Sequence, residues 1–257
     1  MNMEKKAMKL SVCIDMMFSY CDFYDRFGEV KKSGIDTIEF WKWSDKDIEK
    51  IINSEMKVSV FNIDSSDEKL SYDLSRGILN DGREEEFLRA LSESIPVYKK
   101  LGAKAMIVLI GEHKEYSEEN VLKCLNAAKP IVEENNVTLV IEPLNNIDRV
   151  GYSMPYATPL LETLKKINSP NIKMLYDMYH QNMMDDFDME EIRENISLIG
   201  HFHVADAPGR HEPGTGKVDY VEILKGISKL PYNGYIGLEY IATKNDGETL
   251  DFLREVE

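Results

Sequence analysis

The chain is short of cysteine, and its three, Cys13, Cys21 and Cys124, are an odd number with no close pairing. That pattern argues against a disulfide framework or a thiolate metal site and for free thiols in a reducing compartment. Long apolar runs are missing too. None approaches the roughly 20 residues a membrane helix needs, so a membrane-spanning helix is not expected. The first residues, Met1 to Lys9, are charged and pass directly into an apolar run, without the apolar core and cleavage site of a secretory signal. A cytoplasmic location is the expectation. Positive charge is scarce: 31 Lys and Arg stand against 46 Asp and Glu, a formal net charge of −15. Such a surface repels phosphate backbones, and no basic cluster reverses the field locally, so nucleic acid is a poor ligand and a divalent cation a natural one. No glycine-rich phosphate loop follows the first apolar run, and no repeat, low-complexity tract or linker divides the sequence.

What is present is an alternation. The 257 residues are 43% hydrophobic and 30% charged, a globular balance with enough material for one sizeable core, read as a single domain over residues 1–257. Short β-rich runs recur at 10–15, 35–40, 57–63, 103–111, 137–144, 172–179, 199–206 and 234–241. Several, such as AMIVLI and VTLVIEP, are nearly continuous in apolar character, as strands buried on both faces are. Between them, apolar residues at three- and four-residue spacing predict helices over 84–101, where Phe87, Leu88, Leu91, Ile95 and Tyr98 share a stripe, and over 121–135, where Leu122, Leu125, Ala128 and Val132 do. Pro96 and Pro130 fall inside them, with a kink expected at Pro96 near the last turn of its helix. Helices over 219–230 and 247–256 complete the series. Eight strand–helix units in one direction predict a closed parallel barrel, the (β/α)8 TIM-barrel architecture, over an open doubly wound sheet.

The polar residues of the last four strands carry the chemistry. Glu142 follows VTLVI, Asp177 follows IKMLY, His203 follows IGHF and Glu239 follows GYIGL, each near the C-terminal end of its strand, the rim where this barrel holds its active sites. Taken singly, a carboxylate after a buried strand is most often a cap or an ion-pair partner, and Asp177 is well placed to cap the next helix. Four strands in succession with a ligand-type residue at one level are harder to explain by capping. Three carboxylates buried together without a cation would cost several kcal/mol. The set suits one divalent ion, Mg²⁺ or Mn²⁺ first and Co²⁺ or Zn²⁺ after them. Beside it, His180 in DMYHQ and Arg210 in DAPGRHEPGTG are suited to hold substrate, Arg210 through its planar fork. A surface or capping role is the alternative for each. His201 shares the inward parity of His203 one layer deeper and reads as support or packing, His211 and Glu212 as loop-stabilising, and Lys217 as solvated.

Five motifs carry a resemblance: IEPLN (141–145), GY (151–152), YDMYHQ (176–181), GHFHVADAPGRHEPGTGKVDY (200–220) and YIGLEY (235–240). FN (61–62) and RG (76–77) add to it. The chain resembles the sugar isomerase/epimerase barrels, a superfamily that also includes endonuclease IV, and within them the hydroxypyruvate isomerase family. That resemblance implies a metal held by Glu142, Asp177, His203 and Glu239, an acid/base pair in Glu142 and Glu239, and substrate contacts from His180 and Arg210. It implies aldose–ketose isomerisation of a short hydroxy-carbonyl acid through an enediolate, and it suggests self-association. Some hydroxypyruvate isomerase-like proteins carry glutamine at the place of His203, whereas ketose 3-epimerases carry histidine, so 3-epimerisation on the same ligands is the alternative. Endonuclease-type repair would want more histidine ligands and a basic groove, and neither is visible.

Overall fold

The computed structural model describes residues 8–112 and 115–256, so most of the stretch Met1 to Lys9, read as lacking a secretory signal, lies outside the described residues. Eight strands, β1 (Lys9–Cys13), β2 (Thr37–Phe40), β3 (Lys57–Asn62), β4 (Ala105–Leu109), β5 (Leu139–Glu142), β6 (Ile172–Asp177), β7 (Ile199–Val204) and β8 (Tyr235–Leu238), alternate with helices. Each strand pairs with the next, and β1 with β8, all in parallel, which closes the sheet and rules out the open doubly wound alternative. All five residues of β4 are buried, as a strand covered by helices outside and side chains inside must be.

The helices start and stop where local chemistry dictates. Glu84–Leu101 ends at Gly102, which takes a left-handed conformation at φ 62°. Glu118–Asn135 begins about a turn before the apolar stripe, because Ser117 accepts a hydrogen bond from Asn120 N. Both helices continue through their internal prolines. Asp219 caps Tyr220–Ser228 by accepting from Glu222 N. The helix expected over 247–256 is broken into Asp246–Thr249, a 3₁₀ turn Leu250–Phe252 and Leu253–Val256. Gly247 is a poor helix former, and the Thr249 hydroxyl donates to Asp246 O at 2.6 Å, favouring the tighter turn. Among the described residues, no helix is long and apolar enough to cross a membrane.

Candidate active site

Strand register brings the four predicted ligands together. Glu142 and Asp177 are the last residues of β5 and β6. His203 of β7 pairs with Asp177 on one side and with Gly237 of β8 on the other. Glu239 stands just beyond β8, its N–H donating to Val204 O at 3.1 Å. Alternate strand residues point to the same side, so Gly237 and Glu239 face inward with His201 and His203. One ligand atom from each of Glu142, Asp177, His203 and Glu239 lies within 4.8 Å of the others, and all four residues are buried. From His203 Nδ1 the distances are 2.9 Å to Glu239 Oε2, 3.6 Å to Glu142 Oε1 and 3.9 Å to Asp177 Oδ2.

These residues fit a divalent ion. Both ring nitrogens of His203 are buried against carboxylates, Nδ1 beside Glu239 and Nε2 beside Glu39, yet neither makes a hydrogen bond among the described residues. A buried ring nitrogen without a hydrogen bond is costly, and a cation accepting the Nδ1 lone pair removes that cost while neutralising the carboxylates that face it. Three oxygens and one imidazole suit Mg²⁺, Mn²⁺, Co²⁺ or Zn²⁺.

Asp177 does two jobs. Its Oδ1 accepts from Tyr179 N at 2.8 Å and His180 N at 3.3 Å, capping the helix Met178–Met183. Its Oδ2 turns the other way, 3.4 Å from Arg210 Nη2. The cap and the site use different oxygens, so one does not exclude the other.

Sequence reasoning missed Glu39, which lies beneath the cluster on β2. Its Oε1 is 3.0 Å from His203 Nε2, and its Oε2 takes His201 Nε2 at 3.1 Å, Ser11 Oγ at 2.5 Å and Ser59 Oγ at 3.1 Å. Burial pushes the carboxyl up, but the two imidazoles more than offset it and hold Glu39 down at about 2. Space for it comes from Gly237, where a Cβ would stand 2.3 Å from Glu39 Oε1. The available signal was TIEF, a lone carboxylate at the end of an apolar run, as in LVIE.

Trp41, also missed, donates Nε1–H to Glu239 Oε1 at 2.9 Å, while Arg210 Nη2 holds Glu239 Oε2 at 2.6 Å. Burial raises the Glu239 carboxyl, yet Arg210 and His203 outweigh it and keep the group well below the usual range. Glu142 goes the other way, pushed up to about 7 chiefly by burial. The guanidinium of Arg210 lies 5.2 Å from the Tyr179 ring centre. His180 is buried, with Nδ1 2.6 Å from Asn145 Nδ2 and Nε2 3.4 Å from Asp177 Oδ2. Burial lowers it to about 4, so the ring is neutral. In the following loop His211 Nδ1 contacts Ile241 O at 2.7 Å, Glu212 takes Thr243 N and Oγ1, and Lys217 is exposed. A cavity of about 460 Å³ opens over the cluster, with Trp41, Asn62, His180 and Arg210 in its wall.

Residues 27–256 match the xylose isomerase-like TIM barrel family. The hydroxypyruvate isomerase of Escherichia coli (strain K12) is 29% identical over 243 residues, 91% of this chain and 93% of that protein. The 2-oxo-tetronate isomerase of Cupriavidus necator is 24% identical over 237 residues, 88% of this chain and 90% of that protein. Among solved structures, the family 2 AP endonuclease from Brucella melitensis superposes with a TM-score of 0.87 at 22% identity, covering 96% of this chain and 98% of that one. The chain belongs to the xylose isomerase-like TIM barrel family, with hydroxypyruvate and 2-oxo-tetronate isomerases among its sequence relatives.

Proposed function

We propose that the protein is an isomerase that interconverts the aldose and ketose forms of a short hydroxy-carbonyl acid, of the hydroxypyruvate, tartronate semialdehyde or 2-oxo-tetronate kind. The observation that carries this reading is the convergence of Glu142, Asp177, His203 and Glu239 within one 4.8 Å cluster at the barrel mouth, with His203 Nδ1 facing the three carboxylates. The activities named for the two sequence relatives support the substrate class. A divalent ion bound by these four residues would supply positive charge next to the substrate carbonyl, making the neighbouring C–H acidic.

The side chains supply the rest. Glu142 from β5 and Glu239 after β8 flank His203 and act as the acid/base pair. One removes the proton from the hydroxyl-bearing carbon beside the carbonyl, the same or the opposite glutamate returns a proton to the former carbonyl carbon, and the hydroxyl proton passes to the former carbonyl oxygen. Trp41 and Arg210 each fix one oxygen of Glu239, which holds that carboxylate in a single orientation. Arg210 and neutral His180 line the cavity and contact substrate oxygens. A 3-epimerisation would use the same groups and return the proton to the carbon it left, on the opposite face.

Proton NMR in deuterated water tests this, with hydroxypyruvate, tartronate semialdehyde, 2-oxo-tetronates and common ketoses offered in the presence of Mg²⁺ or Mn²⁺. The expected result is deuterium entering a sugar acid at the carbon beside the carbonyl, together with its isomer. Exchange confined to C3 of ketoses would replace isomerisation by epimerisation.

A further inference from the structure

The four candidate ligands all come from β5 to β8, so the β1–β4 half of the rim faces the rest of the substrate. A substrate with a carboxylate must hold it away from the buried acids of the cluster, and that requires a cation. Among the described residues, Lys42, Lys46, Arg149 and Arg210 are the cations of the cavity wall. Arg210 Nη2 sits on Glu239 and Asp177, which keeps this guanidinium, with its buried Nε still without a partner among the described residues, over the β5–β8 half of the mouth. Lys46 is 2.7 Å from Asp45 Oδ1 and 3.7 Å from Asp15 Oδ1.

Arg149 is placed differently. Its Nε and Nη2 meet Glu112 Oε1 at 2.9 and 2.6 Å, and Nη2 also donates to Ser75 O at 3.0 Å. Glu112 carries the Arg76 guanidinium as well, so one carboxylate is shared by two cations. The Nη1 edge of Arg149 has no partner among the described residues. Its loop is pinned at both ends. Asn145 Oδ1 accepts from Ile147 N at 3.1 Å and Asp148 N at 2.8 Å, while Tyr152 OH donates to Glu142 O at 2.8 Å. The guanidinium is therefore held in place beside the cluster before anything binds.

A second observation concerns the same side of the mouth. Asn62, at the end of β3, lines the cavity with its Oδ1 buried and without a hydrogen-bond partner among the described residues. A buried acceptor in that state awaits a donor, and a substrate hydroxyl is one. The cavity, about 460 Å³, has room for several carbons beyond the reacting pair.

We propose that Arg149 is the residue that selects acids, its Nη1 edge taking the substrate carboxylate on the β3–β4 side of the mouth while Asn62 Oδ1 accepts from a neighbouring substrate hydroxyl. This deepens the isomerase reading and rests on it for the reaction, but the binding claim can be tested without turnover. With Nε and Nη2 held by Glu112 and Ser75, Nη1 presents its N–H donors to a substrate carboxylate from a fixed position, which a flexible ammonium stem does not. Lys42, which has no carboxylate partner among the described residues, hangs on a stem that no hydrogen bond holds and serves as the control.

The test is calorimetric titration of Mn²⁺-loaded protein with erythronate, a hydroxy acid with no carbonyl to isomerise, and with its neutral counterpart erythritol. Wild type is expected to bind erythronate at least tenfold tighter than erythritol. Arg149→Met and Arg149→Gln remove that preference, Arg149→Lys keeps part of it, and Lys42→Met leaves it whole. None of these variants changes Mn²⁺ affinity. The proposal is overturned if wild type shows no preference, if Lys42→Met abolishes it, or if both uncharged Arg149 variants retain it. It is equally overturned if they lose it together with Mn²⁺ binding, which would mark Arg149 as a strut for the Glu142 loop. An Arg149-dependent preference with no deuterium exchange on any acid would sink the isomerase reading alone.

Discussion

Glu39 and His203 face each other with Oε1 3.0 Å from Nε2, a contact between β2 and β7, which are not neighbours in the sheet. Burial pushes the His203 imidazole down, but Glu239 and Glu39 outweigh it and hold the ring well above the ordinary histidine range. With Glu39 behind it, Nδ1 is the nitrogen that faces Glu142, Asp177 and Glu239. A carboxylate behind a histidine ligand fixes its orientation and strengthens it as a donor, and losing such support costs about 10–100-fold in metal affinity. Glu39→Gln is expected to weaken Mn²⁺ binding by about that factor in calorimetry. Unchanged affinity would remove Glu39 from the site.

Gly237 is the counterpart of that contact. Its missing side chain leaves the space that Glu39 Oε1 occupies, since a Cβ would come within 2.3 Å of it. Gly237→Ala should destabilise the barrel by roughly 1–3 kcal/mol, read in urea unfolding, and should weaken Mn²⁺ binding as Glu39 is displaced. A variant as stable as wild type with full affinity would show that Glu39 can be accommodated elsewhere.

Protons compete with the ion for this site. Without an ion, Glu142 holds its proton up to about 7 through burial, and His203 holds one to higher pH. Both must leave when an ion binds. Mn²⁺ affinity should therefore rise with pH between about 6 and 8, by about tenfold per unit for each proton displaced. Titration in buffers of different ionisation enthalpy would count the protons, and a flat profile would contradict the ligand assignment.

The three cysteines differ in access. Cys13 and Cys124 are buried and Cys21 is half-buried. Burial raises the Cys13 thiol well above its usual value, with Glu239 and Glu39 adding to the effect, and lifts Cys124 to about 11. A water-soluble maleimide should label one thiol per native chain, at Cys21, and all three only after unfolding. Native labelling of Cys13 would show that the floor of the site opens to solvent.

Much of this was legible in the sequence because a parallel barrel repeats one rule. All eight strands lie inside or within a residue of the apolar runs read from the residues, and the four ligand candidates share a level because each stands at or next to the C-terminal end of its strand. The runs overshoot where a polar residue takes on a second role. The run over 172–179 stops as a strand at Asp177, which caps the next helix. Glu39 escaped notice because its meaning depends on closure. Pairing of β1 with both β2 and β8 brings β2 close to β7, and a sequence scan sees only one more acid after an apolar stretch. Trp41 and Arg149 were missed for a related reason, since their partners Glu239 and Glu112 are 198 and 37 residues away.

Every role proposed for the site depends on Glu142, Asp177, His203 and Glu239 holding one divalent ion between them. Calorimetric titration of chelator-stripped protein with Mn²⁺ tests this, using wild type, Asp177→Asn, which keeps an oxygen for the helix cap, and His203→Ala. One ion per chain in wild type, with affinity reduced about a hundredfold or more in both variants while thermal melting shows them folded, is the expected result. No binding by wild type, or equal binding by the variants, would contradict it.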